Sequence, residues 1–207
     1  AACAPVHGQD WPQFARGPDR VSVSPGATAP PLSLAMPRWV LSQDSSSNPI
    51  TFVGQAGVAA GAGRVVAVGR VGGQFKVFCV DAAAGLVLLA QPGPATILGS
   101  WSTPAIDLEH SLVLVASGAF LTALDLAGGQ ARWQAALSRS VVNASPLVTS
   151  DLGPADRAFI TDYDGFGGAG RLYCVNIDPF DAQANPHQPG EIVWSVVLGT
   201  TSGNTPA

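Results

Sequence analysis

Hydrophobic positions along this chain fall in short runs, each broken by Gly, Asp, Asn or Pro. The clearest stretch is 101–137. It begins Trp101-Ser-Thr-Pro104 and Ala105-Ile106, then has a polar break over 107–111. Leu112-Val-Leu-Val115 follows, then a turn at Ser117-Gly118, then Phe120-Leu-Thr-Ala-Leu124-Asp125. After a second turn at Gly128-Gly129 comes Gln130-Ala-Arg-Trp133-Gln-Ala-Ala-Leu137. No run is long enough for an ordinary helix, and β-branched runs between turn residues read as strands of an antiparallel meander. A four-stranded unit of about 40 residues is the size of one propeller blade.

The unit recurs. Upstream stands Phe78-Cys79-Val80-Asp81, with Gly85 and Leu89 behind it; downstream stands Leu172-Tyr173-Cys174-Val175-Asn176, with Gly190 and Trp194. Each Gly precedes a large apolar residue by four positions, as Gly129 precedes Trp133. The start of the unit also recurs, as Thr103-Pro104, Ser145-Pro146 and Thr205-Pro206, with Ala56-Gly57 a degraded copy. From Gly57 the spacings are 47, 42 and 60 residues, the last lengthened by an insertion over 178–189. The expected fold is all-β: a partial β-propeller of about three four-stranded antiparallel blades plus an N-terminal lead-in. Residues 1–9 read as a signal or linker remnant. Residues 10–52 read as the lead-in, with 37–41 as an outer strand for a closing blade. Residues 53–207 hold three blades and the start of a fourth.

Ser/Thr-Pro, a Val-rich strand, a Gly turn, Leu-Tyr-x-Val-Asp, then Gly and Trp: this order resembles the PQQ-like (pyrroloquinoline-quinone-like) β-propeller repeat. Asp10-Trp11-Pro12-Gln13-Phe14-Ala15-Arg16-Gly17-Pro18 resembles the N-terminal segment of the same family. The likeness covers nearly the whole chain. It implies a bacterial envelope or exported setting: periplasmic, outer-membrane-associated or extracellular. Members include quinoprotein alcohol dehydrogenases and the propeller lipoprotein of the outer-membrane β-barrel assembly machinery.

Composition narrows the classes. Of 207 residues, 47% are hydrophobic and only 12% charged, which fits strands buried on both faces by stacked sheets. A net charge of −4 gives no basic footprint for nucleic acid. No apolar run is long enough for a transmembrane helix. Ala1-Ala2-Cys3-Ala4-Pro5 reads as the end of a secretory signal, with the alternative of a lipobox remnant whose Cys3 carries a lipid anchor. Cys79 and Cys174 hold equivalent blade positions and read as small apolar residues inside strands. A blade between them leaves them too far apart for a disulfide.

Asp162-Tyr163-Asp164-Gly165 reads as a hairpin turn, with calcium held by Asp162 and Asp164 as the alternative. No Glu follows at the distance an EF-hand loop needs. Asp81, Asp125 and Asn176 recur at one blade position. Recurrence points to structure, because such side chains can accept hydrogen bonds from the N–H groups of the next turn. Trp133 and Trp194 read as blade-to-blade packing. No His pair has metal-ligand spacing, and no nucleophile elbow or phosphate-cradling loop occurs.

Quinoprotein dehydrogenases use adjacent cysteines, a stacking Trp at the ring centre, and calcium held by Glu, Asn and Asp. This chain has no adjacent cysteines, and its acidic residues do not form that set. The expectation is therefore a non-catalytic scaffold or protein-interaction propeller without a cofactor. Further blades, from a partner chain or from sequence beyond this segment, would complete it. A fragment of a PQQ-dependent dehydrogenase is the alternative, and a carbohydrate- or polymer-binding propeller is a third reading.

Overall fold

Gly72 and Gly73, both at positive φ (57° and 81°), join two eight-residue strands as the two-residue turn of a hairpin. Consecutive positive-φ residues give the turn whose twist matches that of the flanking strands. This hairpin is the middle of the first of three sheets. The computed structural model describes residues 13, 39–52, 57–92, 101–149, 153–163, 167–200 and 204–206. Cys3, Asp164 and most of the lead-in lie outside the described residues.

Blade one contains β2 (Ala59–Gly61), β3 (Arg64–Val71), β4 (Gln74–Asp81) and β5 (Val87–Pro92), paired antiparallel in that order. A two-residue strand, β1 (Thr51–Phe52), lies beside β3. Blade two contains β6 (Ala105–Asp107), β7 (Leu112–Asp125) and β8 (Ala131–Val141). Blade three contains β9 (Leu147–Thr149), β10 (Arg157–Asp162), β11 (Ala169–Asn176) and β12 (Ile192–Thr200).

Blade two has four strands although it carries three labels. Fourteen extended residues would span about 46 Å. Yet the Leu126 N–H donates to the Ser111 carbonyl at 2.8 Å, so the two ends of β7 lie side by side. The matching bonds in blades one and three, Ala82 N–H to Gly63 and Ile177 N–H to Asp156, close hairpins at the same place. β7 therefore reverses at Gly118, whose φ of 57° suits the first position of a type II′ turn. Its first half pairs with β6 and its second with β8.

The first strands stand side by side, and one hydroxyl per blade ties them. The Gly57 N–H donates to Thr103 Oγ1 at 3.0 Å, and the Thr103 N–H donates to Ser145 Oγ at 2.9 Å. The Ser145 N–H donates to Thr205 Oγ1 at 3.0 Å. The recurring Ser/Thr is thus the acceptor for its neighbour's unpaired backbone donor. Thr103→Val keeps the shape but strands the Gly57 N–H. Its expected cost is about 1–2 kcal/mol, read as a lower denaturation midpoint.

Side chains alternate to opposite faces of each sheet, and both faces of blade two are buried. Val113 and Val115 pack with Val66, Phe75, Val77 and Cys79 of blade one. Leu112, Leu114, Leu121 and Ala123 pack with Ile160, Tyr173 and Val175 of blade three. The far face of blade three carries a smaller cluster of Leu147, Phe159 and Cys174. Cys79 and Cys174 are both free and buried. Of the outer strand expected over 37–41, residues 37 and 38 lie outside the described residues and 39–41 are irregular. Trp39 instead lies on blade one, where its Nε1–H donates to the Ala82 carbonyl at 3.0 Å.

Candidate functional site

Polar chemistry concentrates at the seam between blades two and three. Asp162, the last residue of β10, is fully buried. Its Oδ1 accepts the Arg171 N–H at 2.7 Å. Its Oδ2 accepts the Arg139 N–H at 2.8 Å and the Tyr173 hydroxyl at 2.7 Å. The Tyr173 oxygen in turn accepts the Ser138 N–H at 2.9 Å. Burial, and donation to the Asp162 carboxylate, raise the Tyr173 pKa, so the phenol stays protonated. Arg139 and Ser138 belong to β8, so one carboxylate and one phenol bolt blade three to blade two. Protein donors take up both Asp162 oxygens; Asp164, the other half of the calcium reading, lies outside the described residues.

A second cluster sits at the other end of the strands. His110 follows β6, and its Nδ1 is 2.8 Å from Asp107 Oδ2. Its Nε2 is 2.8 Å from Asp178 Oδ1, and Asp156 Oδ2 lies 3.9 Å from Nδ1. Asp107 Oδ1 accepts the N–H groups of Glu109 and His110, which fixes the turn. Asp178 Oδ2 accepts the Asp156 N–H at 2.9 Å. Burial works against a charge on His110, but Asp107, then Asp178 and Asp156, outweigh it and raise its pKa above 6.5. Burial, and then the like charges of Asp178, Glu109 and Asp107, push Asp156 up to about 6. Donor atoms of Asp107, His110 and Asp156 lie within 4.8 Å of one another. Carboxylate oxygens lie against both imidazole nitrogens, so the surroundings favour the charged form of the ring.

The recurring Asp81, Asp125 and Asn176 mark the turn before each outer strand. Asp81 Oδ1 accepts the N–H groups of Ala83 and Ala84; Asp125 Oδ1 accepts those of Ala127 and Gly128. Asp125 also pairs with Arg132. Asn176 acts as a donor: its Nδ2 reaches the carbonyls of Asp178 and His187 at 2.7 and 2.9 Å. The insertion keeps the bond that closes the turn. Gly190 N–H still donates to the Asn176 carbonyl, as Gly85 does to Asp81 and Gly129 to Asp125. Arg157 Nη2 reaches Asn185 Oδ1 at 3.2 Å, which pins the loop to β10.

Leu89 and Trp133, four places after Gly85 and Gly129, reach the turn glycine of the next blade. A Cβ on Gly129 would lie 3.0 Å from Leu89 Cδ1, and one on Gly190 would lie 3.0 Å from Trp133 Cβ. Trp39 crowds Gly85 in the same way. Trp194, in contrast, tilts against Phe159 of its own blade at 5.9 Å and is 44% exposed.

No protein-family profile matches the chain, and no curated protein does. Among solved structures, a europium-containing methanol dehydrogenase matches with a TM-score of 0.67 and 13% identity. The match covers 92% of this chain and 32% of that one, so this chain spans about a third of its neighbour's length. At that identity the likeness establishes the fold: an all-β array of propeller blades. It also overturns the expectation of a non-catalytic scaffold, because the neighbour is a dehydrogenase and no comparison points to a scaffold.

The adjacent cysteines that the resemblance to quinoprotein dehydrogenases implies have no counterpart in Cys79 and Cys174. Cys79 and Cys174 are free and stand in different blades. The apolar cavity beside Trp39, about 300 Å³, is lined by Leu41, Phe52, Val58 and Val65. It offers no charged side chain to meet an anionic quinone, and the Trp39 N–H is already spent on Ala82.

The His110 cluster escaped the sequence reading. Asp107-Leu-Glu-His110 is visible as a polar break. Its partners Asp156 and Asp178 stand 46 and 68 positions further on, in another blade. Only blade packing joins them.

Proposed function

We propose that this chain is part of the propeller of a PQQ-type quinone-dependent dehydrogenase acting outside the cytoplasm. The observation that carries the reading is the likeness to a methanol dehydrogenase over 92% of the chain. The repeat of Ser/Thr-Pro, Asp/Asn, Gly and Trp supports it as a PQQ-like repeat. Among the described residues no helix is long and apolar enough to cross a membrane, which accords with an exported propeller. In this reading further blades complete the ring, and the residues that hold the quinone lie outside those described. Thr205, in the same hydroxyl ladder as Thr103 and Ser145, supports a fourth blade next to the third.

The test is reconstitution of the native polypeptide that contains this segment. It is loaded with PQQ and either Ca²⁺ or Eu³⁺, then assayed for alcohol-dependent dye reduction. The expected result is a retained quinone with near-ultraviolet absorbance and dye reduction that needs it. Failure to retain quinone with either cation, and no dye reduction, would overturn the reading.

A further inference from the structure

We propose that His110 is a proton-operated clasp between blades two and three, closed while the imidazole carries both its protons and released when it loses one. The chemistry follows from the two contacts. Each ring nitrogen lies 2.8 Å from a carboxylate oxygen, Nδ1 from Asp107 of blade two and Nε2 from Asp178 of blade three. A carboxylate only accepts, and only the imidazolium donates from both nitrogens at once. A neutral ring satisfies one of these contacts and turns a lone pair toward the other carboxylate.

The surroundings sharpen the switch. Asp107, Glu109, Asp156 and Asp178 all bear on His110 or on Asp156. Arg157, next to Asp156 in the chain, has its Nη1 on the Asp156 carbonyl at 3.0 Å and on Asn176. Loss of the imidazolium proton therefore leaves like charges facing each other across the seam. Asp178 also holds the Asp156 N–H, so the start of β10 and the insertion loop are loosened together.

The pH windows follow from the signs. The His110 pKa is raised above 6.5 in the folded chain, so its stabilisation is complete below 6.5 and lost as pH climbs through the folded value. Asp156 moves from 3.8 to about 6, so its share is lost lower, between about 4 and 6. The two windows lie apart, although each group's charge shifts the other's pKa. The clasp stands on the seam geometry and is independent of any quinone activity.

Three measurements on the native polypeptide that contains this segment test it. The ring-proton NMR shift of His110 should titrate above 6.5. Hydrogen exchange at the Asp156 amide, corrected for base catalysis, should speed up by about tenfold from pH 6 to 8. The thermal midpoint should fall over the same range. His110→Gln should remove the step centred on the imidazole and move the Asp156 window upward, because the charge that holds the Asp156 pKa down is gone. Asp178→Asn removes one jaw without the ring and should lower the His110 titration. A His110 that titrates at or below 6.5 would overturn the clasp. So would a His110→Gln chain with wild-type pH dependence. Restoration of the high-pH midpoint by micromolar Zn²⁺ or Ca²⁺ would do the same, because it would make the group a cation site instead.

Discussion

Asp162→Ala is expected to lower stability by about 3–5 kcal/mol. The carboxylate is fully buried and receives two backbone N–H groups and one hydroxyl. Alanine supplies no acceptor, and water cannot reach the three stranded donors. Each buried, unsatisfied donor costs about 1–3 kcal/mol, and relaxation keeps the sum below simple addition. Asp162→Asn keeps one acceptor oxygen and should cost about half as much. Tyr173→Phe removes one donor to Asp162 and strands the Ser138 N–H, for about 1–2 kcal/mol. Denaturant midpoints rank the three. A ranking in which Tyr173→Phe costs most would show that the phenol, rather than the carboxylate, is the bolt. The same network limits what Asp162 can do chemically: a cation at this carboxylate would have to displace donors that the backbone has fixed in place.

The strand pattern and turn positions were largely legible, because they are local. Gly85, Gly129 and Gly190 sit at positive φ where the repeat puts them, and the Ser/Thr-Pro positions open each blade. The reversal at Gly118 was legible as Ser117-Gly118, although β7 runs through it without a break. Contacts between blades were much less legible. The polar break 107–111 shows that something polar is there, but not that Asp156 and Asp178 close on it. Nor does anything in 37–41 mark Trp39 as the side chain that seals Gly85. Local periodicity fixes which face of a strand is apolar. It says nothing of which polar loop faces which across a seam, since that depends on blade twist and on the insertion being pinned by Arg157 and Asn176.

Trp133→Ala should cost about 3–5 kcal/mol, toward the lower figure because the ring is only partly buried. Its effect comes from position. The ring springs from the outer strand of blade two and lies over Gly190, where any Cβ would collide with it. Gly190 also holds the turn through its bond to Asn176, at a φ of 84° that L side chains rarely adopt. Truncation therefore removes the wedge between blade two and the turn that carries the insertion loop. The indole Nε1 is buried without a hydrogen-bond partner among the described residues, so the ring contributes by its area and not by its N–H. Trp133→Phe, which keeps one aromatic ring in place, should accordingly lose less than Trp133→Ala. An equal loss for Phe and Ala would mean that the N–H has a partner after all, and an unchanged midpoint for Ala would mean that the seam is held by the Asp162 bolt alone. Leu89 makes the same reach to Gly129, so Leu89→Ala should fall between the two Trp133 variants. Agreement across both seams would tie the cost to the repeat position itself: a large side chain on the outer strand of one blade, set against a glycine of the next.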